Sequence, residues 1–269
     1  MRTARFRAED DNVPGGKGDL SITETQSFTD LAYSKGRTVS CIDWLPGRKG
    51  MVAVSCTDLL SFEERLELDG VVRSSAILVW SFADAIHPQY VLEAPSDIYS
   101  FRFNPLHPNI AVGGLYNGQV LQWDVSAAQE LVGKKEKRRD DESLDKSALS
   151  VKPIHTSSAD ASHNCAITDI CWLPGEQEVT SKGKMVVGRT GECNFFVTLA
   201  ADGKMLFWDR NMKFDPKRGE LPWVPTLEVP LTRAEVGGVL AGCLFTFSPS
   251  DKLVTKARPG WSTRARRPP

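Results

Sequence analysis

None of the six cysteines (Cys41, Cys56, Cys165, Cys171, Cys193, Cys243) forms a C-x-x-C pair, and none is spaced against the four histidines as zinc ligands are. A metal site therefore has no support, and no cofactor is expected. No apolar signal core follows the start, so the cysteines are expected to be reduced, in a cytosol-type compartment. Arg2, Arg5 and Arg7 are followed at once by Glu9, Asp10 and Asp11, which argues against an acid-poor transit peptide. Long apolar runs are missing too. The longest, Val236 to Phe247, has 12 residues and is broken by glycines, whereas a spanning helix needs about 20. Charge of one sign is lacking as well, with 33 Lys and Arg against 34 Asp and Glu. That balance excludes a strongly basic nucleic-acid binder. Neither a membrane nor a nucleic acid is an expected partner.

What is present is a repeat. Three segments alternate apolar residues and close on tryptophan: Ile77–Trp80, Gln119–Trp123 followed by Asp124, and Lys204–Trp208 followed by Asp209. Trp80 and Trp123 lie 43 residues apart, inside the roughly 40–45 of a WD repeat. Trp123 and Trp208 lie 85 apart, room for a hidden repeat. Between Lys134 and Lys146, however, 11 of 13 residues are charged, and such a run cannot line a sheet core. An insertion is the expected content.

A second series has an aromatic, any residue, then proline: Trp44-Leu45-Pro46, Phe103-Asn104-Pro105, Trp172-Leu173-Pro174 and Phe247-Ser248-Pro249. Ile42, Phe101, Ile170 and Phe245 stand two residues earlier, on the same face of a strand. Proline then ends that strand because it cannot donate to the ladder. The spacings of 59, 69 and 75 exceed a bare repeat, and three polar stretches account for the excess: 58–74, 127–165 and 176–193. Asn117-Gly118 and Asp202-Gly203 sit between apolar runs and predict type I′ hairpins. The unit is strand, strand, tight hairpin, strand ending in Trp, then an outer strand such as Gln89–Glu93. That is a four-stranded propeller blade.

The expected fold is therefore all-β, a WD40-type β-propeller with about three blades and an incomplete ring. Blades are expected at about 37–95, 96–132 and 166–232, with the start of a fourth at 241–250. They are flanked by an irregular extension, 1–36, and a basic irregular tail, 251–269. Expected repeat positions are Trp44, Trp80, Phe103, Gly113, Gly114, Tyr116, Gly118, Trp123, Asp124, Trp172, Asp202, Gly203, Trp208 and Asp209. Trp44, Phe103 and Trp172 are expected to be buried equivalents, each on the strand that begins a blade. The segment from Gly133 to Ser162 is expected to lack a stable core. An arc that does not close should leave the apolar faces of its end blades uncovered and be poorly soluble alone.

The run Val112-Gly113-Gly114-Leu115-Tyr116-Asn117-Gly118-Gln119-Val120-Leu121-Gln122-Trp123-Asp124 resembles a blade of the dynein intermediate chain family. Ile77–Trp80 with His87-Pro88-Gln89-Tyr90, and Phe101–Pro105 with His107-Pro108-Asn109, resemble its flanks. Ala53-Val54-Ser55, Leu60–Arg65 and Gln26–Leu31 are similar to the WD-repeat intermediate chain of axonemal inner arms. The resemblance implies a non-catalytic scaffold subunit in the cytoskeleton of a cilium or flagellum. Its implied partners are a dynein heavy chain and other intermediate and light chains. The family's long N-terminal segment, which binds light chains, has no counterpart in the roughly 35 residues before the first strand, so light-chain binding is not expected of this chain. A WD-repeat adaptor of another complex, such as a ubiquitin ligase substrate receptor, is the alternative within binding proteins. A propeller hydrolase is the rival from another class.

No catalytic constellation emerges from spacing. Glu63-Glu64 and Asp140-Asp141-Glu142 fall in polar runs, where carboxylates stay hydrated and untuned for proton transfer. Gly113-Gly114 lies within a strand, not ahead of a helix N-terminus as a phosphate cradle requires. His87 and His107 precede prolines and read as turns. The basic run Lys134–Arg139 is offset at once by Asp140–Glu142 and reads as a solvated loop.

Overall fold

Alternating apolar residues become antiparallel strands where the sequence alternates, and tight turns link them where glycine follows Asn or Asp. The computed structural model describes residues 24–67, 74–136, 148–188, 191–211, 214–215, 219–232 and 238–247. The tail 251–269 and residues 1–23 lie outside the described residues, as do Ser248 and Pro249 of the fourth aromatic-x-Pro motif.

The first blade is built from β1 (Arg37–Trp44), β2 (Met51–Asp58), β3 (Ser75–Ser81) and β4 (Tyr90–Ala94), antiparallel in chain order. Between β2 and β3 stands a short helix, α1 (Phe62–Glu67). It opens on a capping box: Ser61 N–H donates to Glu64 Oε2 at 2.7 Å, and Glu64 N–H donates to Ser61 Oγ at 3.2 Å. The second blade has β5 (Ile98–Phe103), β6 (Ile110–Leu115) and β7 (Val120–Asp124).

After β7 the chain makes an excursion that the sequence reading treated as a bare insertion. Helix α2 (Ser126–Glu136) buries Ala128 and Val132 in the core between the first two blades. Strand β8 (Leu149–Val151) then pairs in parallel with β4, giving the first blade a fifth strand. The chain returns as β9 (His155–Thr156), the outer strand of the second blade, paired with β7. The expectation that Gly133 to Ser162 has no stable core is therefore corrected for its described part. Leu149 and Val151 pack on the core, and Ser157 is buried. Strands of two and three residues are too short to display a period of two, so they left no trace in the alternation.

The third blade comprises β10 (Ile167–Trp172), a small hairpin of β11 (Gln177–Val179) and β12 (Met185–Val187), then β13 (Phe195–Ala200) and β14 (Lys204–Asp209). A two-residue pair follows, β15 (Phe214–Asp215) with β16 (Gly219–Glu220), and β17 (Leu227–Pro230) closes the sheet beside β14. The hairpin β11–β12 occupies the expected 176–193 insertion.

The turns differ from the expected type I′, which needs two left-handed residues. Gly118 and Gly203 have φ of +83° and +78°, and no non-glycine residue among the described residues has positive φ. Gly118 N–H donates to the Leu115 carbonyl at 3.2 Å, and Leu115 N–H to the Gln119 carbonyl at 3.0 Å. This is a type I turn closed by a left-handed glycine, the three-residue hairpin loop. Asn and Asp are used here for their side chains, not for a left-handed backbone. Asn117 Oδ1 accepts from Gln119 N–H at 3.1 Å, and Asp202 Oδ1 from Lys204 N–H at 3.2 Å.

A Cβ on Gly118 would stand 2.0 Å from the His163 carbonyl oxygen, whereas one on Gly36 would meet nothing within 4 Å, although φ there is +71°. Gly36→Ala is therefore expected to lose only the left-handed penalty of about 1–2 kcal/mol. Gly118→Ala adds a backbone clash and should lose more than about 3 kcal/mol. Urea unfolding of the two variants checks this, and equal losses would show that the turn is free to move.

Candidate functional site

Cross-strand register brings the repeat residues into rows. Trp44 opposes Val52, which opposes Trp80. Phe103, Ala111 and Trp123 form the same row in the second blade, and Trp172, Phe196 and Trp208 in the third. The second and third rows lie on the face that meets the preceding blade. Phe103 and Trp123 are packed against Ala53, Ile77 and Val79 of the first blade. Trp172 and Trp208 join Ile110, Val112 and Val120 of the second.

Burial follows this order. Trp80, Phe103, Trp123, Trp172 and Trp208 are all buried, but Trp44 is 59% exposed. The expectation that Trp44 is buried is thus corrected. Its register is that of Phe103 and Trp172, but no described blade stands in front of it, so Ile42 and Val39 beside it are exposed as well. Trp44 stacks on Phe82, with ring centroids 5.8 Å apart.

The two glycines of the second blade are close-approach positions. A Cβ on Gly113 would lie 2.8 Å from the Trp123 ring, and one on Gly114 would lie 2.5 Å from Ile167 of the next blade. Tyr116 is exposed and stacks on Tyr99 with centroids 5.9 Å apart. Asp124 accepts from Ser126 N–H at 2.9 Å, at the start of α2, and Asp209 accepts from Asn211 N–H at 2.9 Å.

One chain of polar side chains was missed from sequence. His163 Nδ1 lies 3.0 Å from Asp202 Oδ2, and its Nε2 lies 2.9 Å from Thr198 Oγ1. Trp208 Nε1–H donates to that same Thr198 oxygen at 2.9 Å. The order Asp, His, hydroxyl has the outline of a nucleophilic triad. Two facts deny it that role: the His163 side chain has no exposed surface, and Thr198 is fully buried under the tryptophan. With every donor matched to an acceptor, the chain ties the turn at Asp202 to the blade core. It was illegible because His163 belongs to the segment read as insertion.

Burial, the largest influence, holds His163 below its usual range, against the opposing pull of the Asp202 carboxylate. The folded state thus keeps a neutral imidazole, while the unfolded chain takes up a proton near pH 6.5. A depressed folded pKa means that this contribution is complete above about pH 6.5 and is lost as pH falls below it. Thermal melts between pH 7.5 and 5.5 should show this slope in the parent chain and not in His163→Gln. An identical slope in both would refute the assignment.

Charged groups on inner strands connect all three blades. Asp43 on β1 accepts from Phe103 N–H on β5 through Oδ2 at 3.0 Å. Asp169 on β10 accepts from Phe245 N–H through Oδ2 at 3.1 Å and ties the third blade to the segment that follows it. Arg102 lies between them, its Nη2 being 3.6 Å from Asp169 Oδ1 and its Nη1 3.0 Å from Cys41 Sγ. Desolvation, the dominant influence, raises both carboxyls, opposed by the backbone donors and by Arg102.

Beside the first blade an open groove of about 1060 Å³ is lined by Tyr33, Lys35, Arg37, Glu93, Lys152 and Pro153 among others. Arg37 is engaged by Asp58 at 3.1 Å and by the Ser74 carbonyl at 2.8 Å. No cluster of three or more metal-ligating side chains occurs among the described residues, and no described helix is long and apolar enough to cross a membrane. The arrangement offers faces, rims and loops for binding, and the one triad-like chain is sealed.

Comparison with known proteins gives a consistent result. Residues 20–222 match the family described as the dynein axonemal intermediate chain 3 WD40 domain. The human dynein axonemal intermediate chain 3 is 36% identical over 243 residues, which is 84% of this chain and 27% of that protein. The mouse protein of that name is 36% identical over 217 residues, 75% of this chain and 24% of the relative. The zebrafish (Danio rerio) protein is 38% identical over 213 residues, 75% of this chain and 21% of the relative. The chain thus spans about a quarter of the length of these curated relatives.

Proposed function

The chain belongs to the dynein axonemal intermediate chain 3 WD40 family, and from that premise we propose that it is a non-catalytic scaffold segment of an axonemal inner-arm dynein. It would bind a dynein heavy chain, alongside other intermediate chains, and support arm assembly in a cilium or flagellum. The observation that carries this reading is the family match over 20–222, which covers the first two blades and the third blade up to, but not including, β17. The physical arrangement supports binding over catalysis. The polar side chains that resemble a catalytic chain are buried and mutually satisfied, while Val39, Ile42 and Trp44 lie exposed on the first blade's open face and mixed charges line a groove.

The test is recovery of partners from ciliary extract on the tagged chain, read by mass spectrometry. Inner-arm heavy chain is expected in the eluate, and Trp208→Ala, which unseats the third blade, should abolish its recovery. Recovery of other complexes without any heavy chain would sink the proposal.

A further inference from the structure

Trp80 is only 3% exposed, although it lies on the same open face as Trp44. In the other two blades the equivalent tryptophan is covered by the preceding blade. Here the cover is an irregular segment of the chain itself. Phe28 places its ring edge-on to Trp80 at 5.5 Å and to Phe82 at 5.1 Å, and it packs on the cluster of Val52, Leu78 and Trp80. Two hydrogen bonds hold the segment on either side. Gln26 Nε2 donates to the Phe82 carbonyl at 3.0 Å, and Thr29 N–H donates to the Ala85 carbonyl at 3.1 Å. The contacts are those of a bound peptide: one aromatic anchor in an apolar seat, with polar bonds to main-chain carbonyls beside it.

We propose that the Trp80–Phe82 seat is a peptide-binding site for a short segment with a central phenylalanine, filled in cis by Gln26–Thr29. The segment is a strap that stands where a preceding blade stands in the rest of the arc, and it is exchangeable. The anchor contributes one ring and two hydrogen bonds, far fewer contacts than a blade makes. It remains seated because the short connection to β1 gives it an effective concentration on the order of millimolar. This inference is independent of the motor assignment, since it rests only on contacts within the first blade.

The experiment uses the full chain carrying Phe28→Ala and a synthetic peptide of residues 24–33. Hydrogen exchange of amides in Ser75–Ser81 should quicken about tenfold or more in the variant, with Phe195–Ala200 unchanged. The peptide added at about millimolar concentration should restore protection saturably, and the same peptide with alanine for phenylalanine should not. Unchanged exchange at Ser75–Ser81, or equal quickening in all three blades, overturns the proposal. So does failure of the peptide to restore protection. Should Phe28→Ala not fold, the parent chain still decides. An unprotected Thr29 amide, or a peptide that fails to compete with the strap at several millimolar, also overturns it.

Discussion

Truncating Trp208 to alanine is expected to remove about 4–6 kcal/mol of stability: about 3–5 for a large buried aromatic and about 1 for its hydrogen bond. That approaches the whole stability of an ordinary domain. The indole has no exposed surface, stacks on Phe196 with centroids 6.3 Å apart, and meets Trp223 edge-on at 5.6 Å. Its loss also leaves Thr198 with an unmatched lone pair beneath His163. The same truncation at Trp44, in the equivalent row but on the open face, should change stability by no more than about 1 kcal/mol. Denaturant titration of the two variants, with Trp208→Phe to separate ring packing from the N–H, provides the measurement. A Trp44 variant as damaged as the Trp208 variant would mean that the first blade's outward face is covered in solution.

That contrast also marks what could be read from the amino acids. Apolar runs bounded by Asn-Gly and Asp-Gly placed β6, β13 and β14 nearly to the residue, because strands buried along most of their length read as near-continuous apolar runs between turn residues. The aromatic-x-Pro motif located the start of each blade, because proline must end the ladder there. Burial at Trp44 was not legible, since exposure depends on what stands in front of a face and not on the residue itself. The excursion from Ser126 to Thr156 was invisible for a different reason. Its strands are held by edges presented by other blades, and their own side chains alternate too briefly. His163 was hidden by the same misjudged segment, and its partners Thr198 and Asp202 are 35 and 39 residues away, so no local spacing announces them. Gly113 and Gly114 were expected as repeat positions within a strand. Their partners, the Trp123 ring and Ile167, required the fold.

Replacing Arg102 by methionine should destabilise the chain at neutral pH and spare it in acid, opposite in direction to the His163 effect. The guanidinium lies between two carboxylates that burial has already pushed upward, Asp43 and Asp169, the latter with its side chain only 5% exposed. Removing one partner of a buried pair costs about 3–5 kcal/mol. The Arg102 side chain is 33% exposed, so solvent screening reduces the expected loss to about 2 kcal/mol. A carboxyl with a raised folded pKa binds its proton more tightly folded than unfolded. Its contribution is therefore fully present below its usual pKa near 3.8 and is lost as pH rises through the raised value. Without Arg102 both carboxyls rise further, so the variant's deficit should be largest near pH 7 and should shrink as pH falls toward the carboxylate range. Adding Asp169→Asn to Arg102→Met removes the stranded charge and should recover part of the loss at pH 7. The recovery should be incomplete, because the amide can replace only one of the two acceptors that hold Ile170 N–H and Phe245 N–H. A deficit independent of pH, with no recovery in the double variant, would show that Arg102 acts through its packing alone and that the inner-strand charges do not couple the blades.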